Sequence, residues 1–481
     1  MLKNKNQKIF FAFSLVFIAI NLALIAYNSY YFALLPVVLL LALATFVSLD
    51  KILLAIAFFT PLSVRLEDFI PGISFNLSLP TELLLAGVMV LFFFKLLLDG
   101  YFDKKILTHP VSITIYLQLV WILITAITST MPLVSVKFFI SRLWFVVGMY
   151  FLATQLFKEY KNQQRFIWLY ISALLIVILY ANLRLSQYGF DNQKASNWVV
   201  WPFYSDHTSY GAMLVMFLFP IIFFLIKKHE NILARSLTQI VLIIFILAII
   251  FSYTRAAWLS LFAALGIWLF VILRIKIRTV IISGIVSFLI LFSLQNKIVD
   301  ALHNNESESS GKLSEHVESM ANITSDASNL ERINRWKCAL RMFQEKPFWG
   351  WGPGTYKFQY APFQFSYDRT IISTDFGDLG NAHSEYLGPL SESGVIGFIT
   401  TLLLVFMVFR TGYKIYHSAQ NKEIKQFTLF ILLGLATYFI HGVLNNFLDT
   451  DKASVPVWAF IAILVSLDVY HNTTNKKLVQ N

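Results

Sequence analysis

The sequence predicts an all-α, polytopic membrane helical bundle of about 12–14 transmembrane helices, with one large, partly helical outer loop. Three observations predict it. Only 14% of the 481 residues are charged and 57% are hydrophobic, where soluble domains carry roughly 25% charge. Apolar runs recur along the chain near the ~20 residues that cross a ~30 Å hydrocarbon layer. The Lys and Arg residues collect in alternate short loops between those runs, as membrane topology requires.

In order, the apolar runs fall at residues 9–28, 30–48, 51–64, 80–98, 111–128, 136–157, 165–186, 209–226, 236–253, 256–273, 279–294, 394–410, 427–447 and 455–470. The run at 51–64 is short for a span and reads as tilted or re-entrant. The first run follows Lys3, Lys5 and Lys8 and has no evident small-residue cleavage site, so it reads as a retained helix. Loops carrying Lys104, Lys105, Lys158, Lys161, Arg165, Lys227, Arg235, Lys414, Lys422 and Lys425 alternate with loops holding few cations, among them Arg65, Lys194 and Lys452. That asymmetry puts both termini on the cytoplasmic side. The chain divides into N-terminal membrane helices over 1–294, a large outer loop over 295–393, and C-terminal helices with a cytoplasmic tail over 394–481.

Composition also excludes. The net charge of +11 is dispersed among topology loops, which argues against nucleic acid as a partner. The single cysteine, Cys338, rules out an intrachain disulfide. No HExxH, CxxC or acidic cluster suggests a metal, and no P-loop or Gly-x-Ser-x-Gly elbow is present. No cofactor is expected.

The outer loop carries the polar chemistry. Residues 304–329 are rich in Asn, Ser and Glu and read as a solvated, mobile tract. Asn329 then caps a helix over 330–345, with Ile333, Trp336, Leu340 and Phe343 on its apolar face. Pro347 and the glycines of Trp349-Gly350-Trp351-Gly352-Pro353-Gly354 end it. Trp349, Trp351 and Tyr356 suit either sugar stacking or packing of the loop on the membrane surface.

Four cations and one imidazole stand out as candidates. Arg255 is almost the only charge across two spans at the outer surface, where a cation faces an anion or a polar cavity; its natural partner is a phosphate, matched by the guanidinium fork. Arg142, inside a span, suits an interhelical ion pair as well as a substrate contact. Arg332 and Arg335 lie about one turn apart, a spacing that by itself fits a solvated basic face. His383 stands among polar residues just before a span resumes, and its near-neutral pKa makes it the best general base on offer.

Taken together, Ser252 and Arg255 before a span, Arg332 and Trp336 leading to Lys346-Pro347-Phe348-Trp349-Gly350-Trp351-Gly352, and His383-Ser384 followed by Gly394 and Gly397 resemble the O-antigen ligase and polymerase superfamily of bacterial envelopes. The tail His441-Gly442-Val443-Leu444-Asn445-Asn446 is also similar. The resemblance covers roughly residues 190–470; the earlier helices match only in being apolar. It implies a glycosyltransferase of the inner (cytoplasmic) membrane with its site on the periplasmic face. The donor would be a glycan on undecaprenyl pyrophosphate. The acceptor would be a hydroxyl of lipid A–core. The reaction would invert the anomeric centre and need neither metal nor nucleotide. Arg255 and Arg332 would bind pyrophosphate and His383 would take or orient the acceptor's proton. Arg142, Arg335, Trp336, Ser384 and Tyr386 would complete the substrate contacts. The same residues fit a polymerase using a second lipid-linked glycan, or a protein O-oligosaccharyltransferase. A lipid-linked glycan transporter is the rival without bond chemistry.

Overall fold

A computed structural model of the protein describes residues 5–26, 49–69, 77–99, 102–227, 231–273, 279, 286, 293, 327–370, 373–374 and 380–472. Thirteen helices longer than one turn frame them: α1 (Lys5–Ala26), α2 (Leu49–Phe59), α3 (Thr81–Asp99), α4 (Pro110–Ile127), α5 (Pro132–Leu156), α6 (Tyr160–Ser186), α7 (His207–Ile226), α8 (Ile232–Phe251), α9 (Arg255–Ile272), α10 (Ala327–Glu345), α11 (Leu387–Ser418), α12 (Lys422–His441) and α13 (Asp451–His471). Among the described residues, nine of these, α4–α9 and α11–α13, are long and apolar enough to cross a membrane. The chain is therefore an all-α polytopic bundle. The only strands described are β1 (Val64–Arg65) and β2 (Ser78–Leu79), an antiparallel pair.

Burial orders the bundle. Most residues of α7, α12 and α13 are buried inside the protein, whereas few residues of α8 and α9 are. Tyr170 of α6 stacks on Phe217 of α7 at 4.2 Å, and Phe217 meets Phe460 of α13 edge-on at 5.3 Å. These rings fill the centre with large apolar area at little entropic cost. α7 packs along α12, α9 packs on α12, and α4 runs beside α11.

Polar contacts sort the chain turns to two ends. At one end Lys158 faces Asp103 at 3.7 Å, Lys414 meets Asp468 at 2.8 Å and Lys227 meets Glu423 at 2.7 Å. At the other, Arg142 meets Asp449 at 3.0 Å, and the Lys452 ammonium donates to the Thr60 and Ser63 carbonyls at 2.6 and 2.7 Å. The ends of α7, α9, α10 and α12 that form the site below lie at this second end.

Several expectations shift. The run at 51–64 gives only the eleven-residue α2, too short to span at ~1.5 Å per residue, before the chain turns into β1. α10 starts at Ala327, so Asn329 lies inside it instead of capping it. The span expected at 394–410 begins at Leu387 and runs to Ser418 with a kink at Gly394. The runs at 30–48 and 279–294, apart from three single residues of the latter, lie outside the described residues, as does the tract 304–326.

Candidate functional site

The site forms where separate helix ends are tied together by side chain to backbone bonds. α8 stops at Phe251 and α9 starts at Arg255, so the chain reverses over three residues. Tyr253 makes that reversal at φ +48°, and its hydroxyl donates to the Phe190 carbonyl at 2.9 Å. Thr254 donates through Oγ1 to the His207 carbonyl at 2.8 Å, fixing the start of α9 to the start of α7. Gly211 permits this closeness, because a Cβ there would lie 2.7 Å from Thr254 Oγ1. Asp206 caps α7 by accepting from Ser209 N at 2.8 Å. Burial works to raise its pKa, but the bonds from Thr208 and Ser209 prevail and hold it below the usual carboxylate value.

The opposite wall is built on α10. This helix carries its own small core, with Cys338, Ala339 and Met342 against Tyr356, Tyr360 and Ala382. Burial pushes the Cys338 thiol up to about 11, so it is an inert packing group. Trp336 donates from Nε1 to the His383 carbonyl at 3.3 Å, and His383 N donates to Asn381 Oδ1 at 3.0 Å. His383 is thereby held at φ +48°. Among the described residues, Tyr253 and His383 are the two non-glycine residues with positive φ, and both belong to this site. Left-handed backbone at bulky residues is strained and gathers at functional sites.

The glycine-rich turn after α10 fixes the loop to the bundle. Trp351 N and Gly352 N donate to the Ser391 and Glu392 carbonyls at 3.1 and 2.8 Å. Val395 N donates to Pro347 O at 2.9 Å, through the gap that opens at Gly394, φ +68°. Trp121 of α4 donates to Ser393 O at 2.7 Å and stacks on Trp349 at 5.5 Å. Tyr356 is buried, its hydroxyl donating to Arg335 O at 2.8 Å, so it has no face for a sugar. Trp351 lies under the Lys346 ammonium and donates to Met342 O. Trp349 keeps an exposed edge.

Charges converge on this corner. His383 feels Arg332, Arg335, Glu331 and Asp206. His207 feels Asp206, Arg332 and Arg255. His441, at the end of α12, feels Arg332, Asp206 and His207. Arg332 thus acts on all three imidazoles, and Arg255 on His207. Burial, and next the Arg332 and Arg335 guanidiniums, lower His383 to about 4. At neutral pH its ring is uncharged and able to accept a proton.

The remaining candidates are engaged elsewhere. Arg335 is buried; its Nε donates to Glu331 at 2.6 Å, its NH2 donates to Thr374 at 2.8 Å, and it lies over Tyr360 at 3.9 Å. Despite burial, Glu331 is held below its usual pKa by bonds from Ser373, Arg335 and Thr370. Arg142 pairs with Asp449. Ser384 is buried and accepts from Tyr386 N and Leu387 N, both at 3.3 Å. Tyr386 donates to Phe439 O at 2.9 Å. Between them lies Glu385, which accepts from Tyr438 at 2.6 Å, Phe447 N at 2.7 Å and Leu448 N at 2.9 Å. Burial, and next Asp449, raises its pKa. The sequence brings in His441 only as the head of the family-like tail, and gives no role to Asp206 and His207. The one signal for them was an Asp preceding an apolar run, which marks a helix start and no more.

No curated protein matches the chain. A family model described as O-antigen ligase matches residues 240–402, a segment that begins in α8, contains Arg255, Arg332 and His383, and ends in α11 beyond the Gly394 kink. Across that segment the sequence is similar to the O-antigen ligase family.

Proposed function

We propose that the protein is an O-antigen ligase-like glycosyltransferase that moves a glycan from undecaprenyl pyrophosphate to a hydroxyl of lipid A–core. It would work in the bacterial inner membrane with both termini cytoplasmic and the site periplasmic. The observation that carries this reading is that Arg332 acts electrostatically on both His383 and His207, and Arg255 on His207, at one end of the bundle. Two cations and the N-terminus of α9, whose first residue is Arg255, suit a diphosphate, because the unpaired N–H groups and dipole of a helix start favour anions.

In the reaction, the acceptor hydroxyl oxygen attacks the anomeric carbon. The bond from that carbon to the pyrophosphate oxygen breaks, and its electron pair leaves with the phosphate. Arg255 and Arg332 stabilise the growing negative charge, which is the main demand of a step whose leaving group is already activated. His383 takes the hydroxyl proton. A base near 4 is weak; burial depresses it first and the arginines next, and the bound diphosphate offsets the arginines' share, so its basicity rises when the donor is in place. Arg335, Trp336, Ser384 and Tyr386 position His383 and the start of α11, and Arg142 fixes the 442–450 turn through Asp449.

Deleting the gene and resolving the envelope glycolipids tests the reading. Full-length glycan stranded on its lipid carrier is the expected result. Single repeat units on core would indicate a polymerase, and loss of protein glycans with unchanged glycolipids an oligosaccharyltransferase. An unchanged profile in every fraction would sink all three.

A further inference from the structure

His441 is the last residue of α12 and lies outside the segment matched by the family model. It is 1% exposed, and among the described residues neither of its ring nitrogens has a hydrogen-bond partner. The ring leans on Phe447, with centroids 5.7 Å apart. The backbone beneath it is fixed, since Gly442 N donates to Tyr438 O at 2.8 Å and Gly442 O accepts from Glu385 N at 2.7 Å. The imidazole is therefore held in place and buried, with no internal bond to explain a histidine there. Buried polar atoms in folded proteins are almost all hydrogen-bonded, and leaving one open is costly. A phenylalanine would fill the same space against Phe447 without that cost.

Location gives a second, independent reason. The charges His441 feels are Arg332, Asp206 and His207, those of the site already described. Two further buried groups of the same two junctions are open in the same way: His207 Nδ1 at the start of α7 and Asn445 Nδ2 in the turn after α12. A molecule entering between α7, α10 and α12 would supply the missing acceptors. Arg332 and the nearby start of α9 make an anionic head the ligand this corner attracts. An imidazole offers it an N–H in either protonation state.

We propose that His441 is a further substrate-contacting residue, its ring N–H donating to an oxygen of the phosphorylated head of the lipid carrier. The inference rests on the lipid-carrier reading above. It makes the end of α12 part of the head-group site, while His383 serves the acceptor.

The test uses the purified full-length protein in lipid nanodiscs with undecaprenyl pyrophosphate as the probe. His441→Phe keeps the ring's volume and its contact with Phe447 while removing both nitrogens. Its Kd should rise about tenfold or more, as for a lost hydrogen bond to a charged group. His441→Gln, which retains an N–H at a similar reach, should stay within a few fold of wild type. Wild-type affinity in His441→Phe overturns the inference. If His441→Phe is not recovered folded, histidine-selective 15N NMR of the wild-type protein decides. The His441 signal, assigned by its loss in His441→Gln, should move when the probe is added, and an unmoved signal overturns the proposal. Arg332→Ala separates the two levels. If it loses the probe while His441→Phe binds fully, only the role of His441 fails. If the wild-type protein does not bind the probe, the lipid-carrier reading fails as well.

Discussion

At the scale of single residues, His383 combines a strained backbone, burial and two nearby guanidiniums. Its replacement by alanine should lower glycan transfer by roughly 10²–10⁴-fold, the usual worth of a positioned base. Membrane insertion and yield should be unchanged, because its backbone is held by Asn381 and Trp336 without help from the ring. A purified His383→Ala enzyme with wild-type turnover would remove the base assignment. The direction of the pKa shift sets the pH dependence. Transfer needs the uncharged ring, and protonation in the free enzyme centres at about 4. The acid limb of kcat/KM should thus fall well below the ordinary histidine range, while the limb of kcat, which reports the donor complex, should lie higher. Coincident limbs near the usual histidine pKa would show that burial and the arginines do not act on this ring. His383 and Arg255 could be picked from the sequence because an ionisable residue beside an apolar run is conspicuous. Asp206 and His207 could not, since each resembles an ordinary helix terminus until folding sets Arg332 where it acts on His207.

At the scale of elements, the kink in α11 joins loop to bundle. Gly394 has φ +68°, and a Cβ there would run into the Phe348 carbonyl. Gly394→Ala should therefore break the contact between residues 347–352 and the start of α11. The strain alone costs about 1–3 kcal/mol, and the clash adds to it. A thermal melt in detergent should show the loss, with transfer falling in parallel because α10 no longer holds Arg332 against His383. An unchanged melting temperature would mean that the backbone has an untaxed alternative. The spacing from His383 to Gly394 and Gly397 was visible in the sequence, but its physical purpose was not. Trp349 to Gly354 reads there as the turn that ends a helix, its tryptophans suited either to a sugar or to packing on the membrane surface. In the folded protein its backbone is spent on the Ser391 and Glu392 carbonyls, and its glycines admit that approach.

Across the whole molecule, a few buried polar groups fasten distant stretches together. Lys452 at the start of α13 donates to Thr60 O, Ser63 O and Ser63 Oγ, at 2.6, 2.7 and 2.6 Å, and the Tyr170 hydroxyl donates to Lys452 O at 2.8 Å. From topology, Lys452 looked like a stray cation on the sparsely charged side. It is instead a bolt between the α2 turn and the last span. Lys452→Met should cost roughly 3–5 kcal/mol, the typical loss when one partner of a buried charged network is removed. Thermal unfolding in detergent measures it, and a variant as stable as wild type would show that the ammonium is dispensable. Such removal takes the ammonium donor from the Thr60 and Ser63 acceptors.

The sequence by itself determined the class of the protein, because apolar length and alternating charge are local properties that a bilayer reads directly. It also determined which residues were unusual enough to suspect, in particular Arg255 and His383. Tertiary structure decided which of them meet. Arg142 and Arg335 were drawn into ion pairs with Asp449 and Glu331. His207 and His441 came to lie where Asp206 and Arg332 act on them. A guanidinium has the same local signature in either fate; only the carboxylate or imidazole that folding sets beside it tells the two apart.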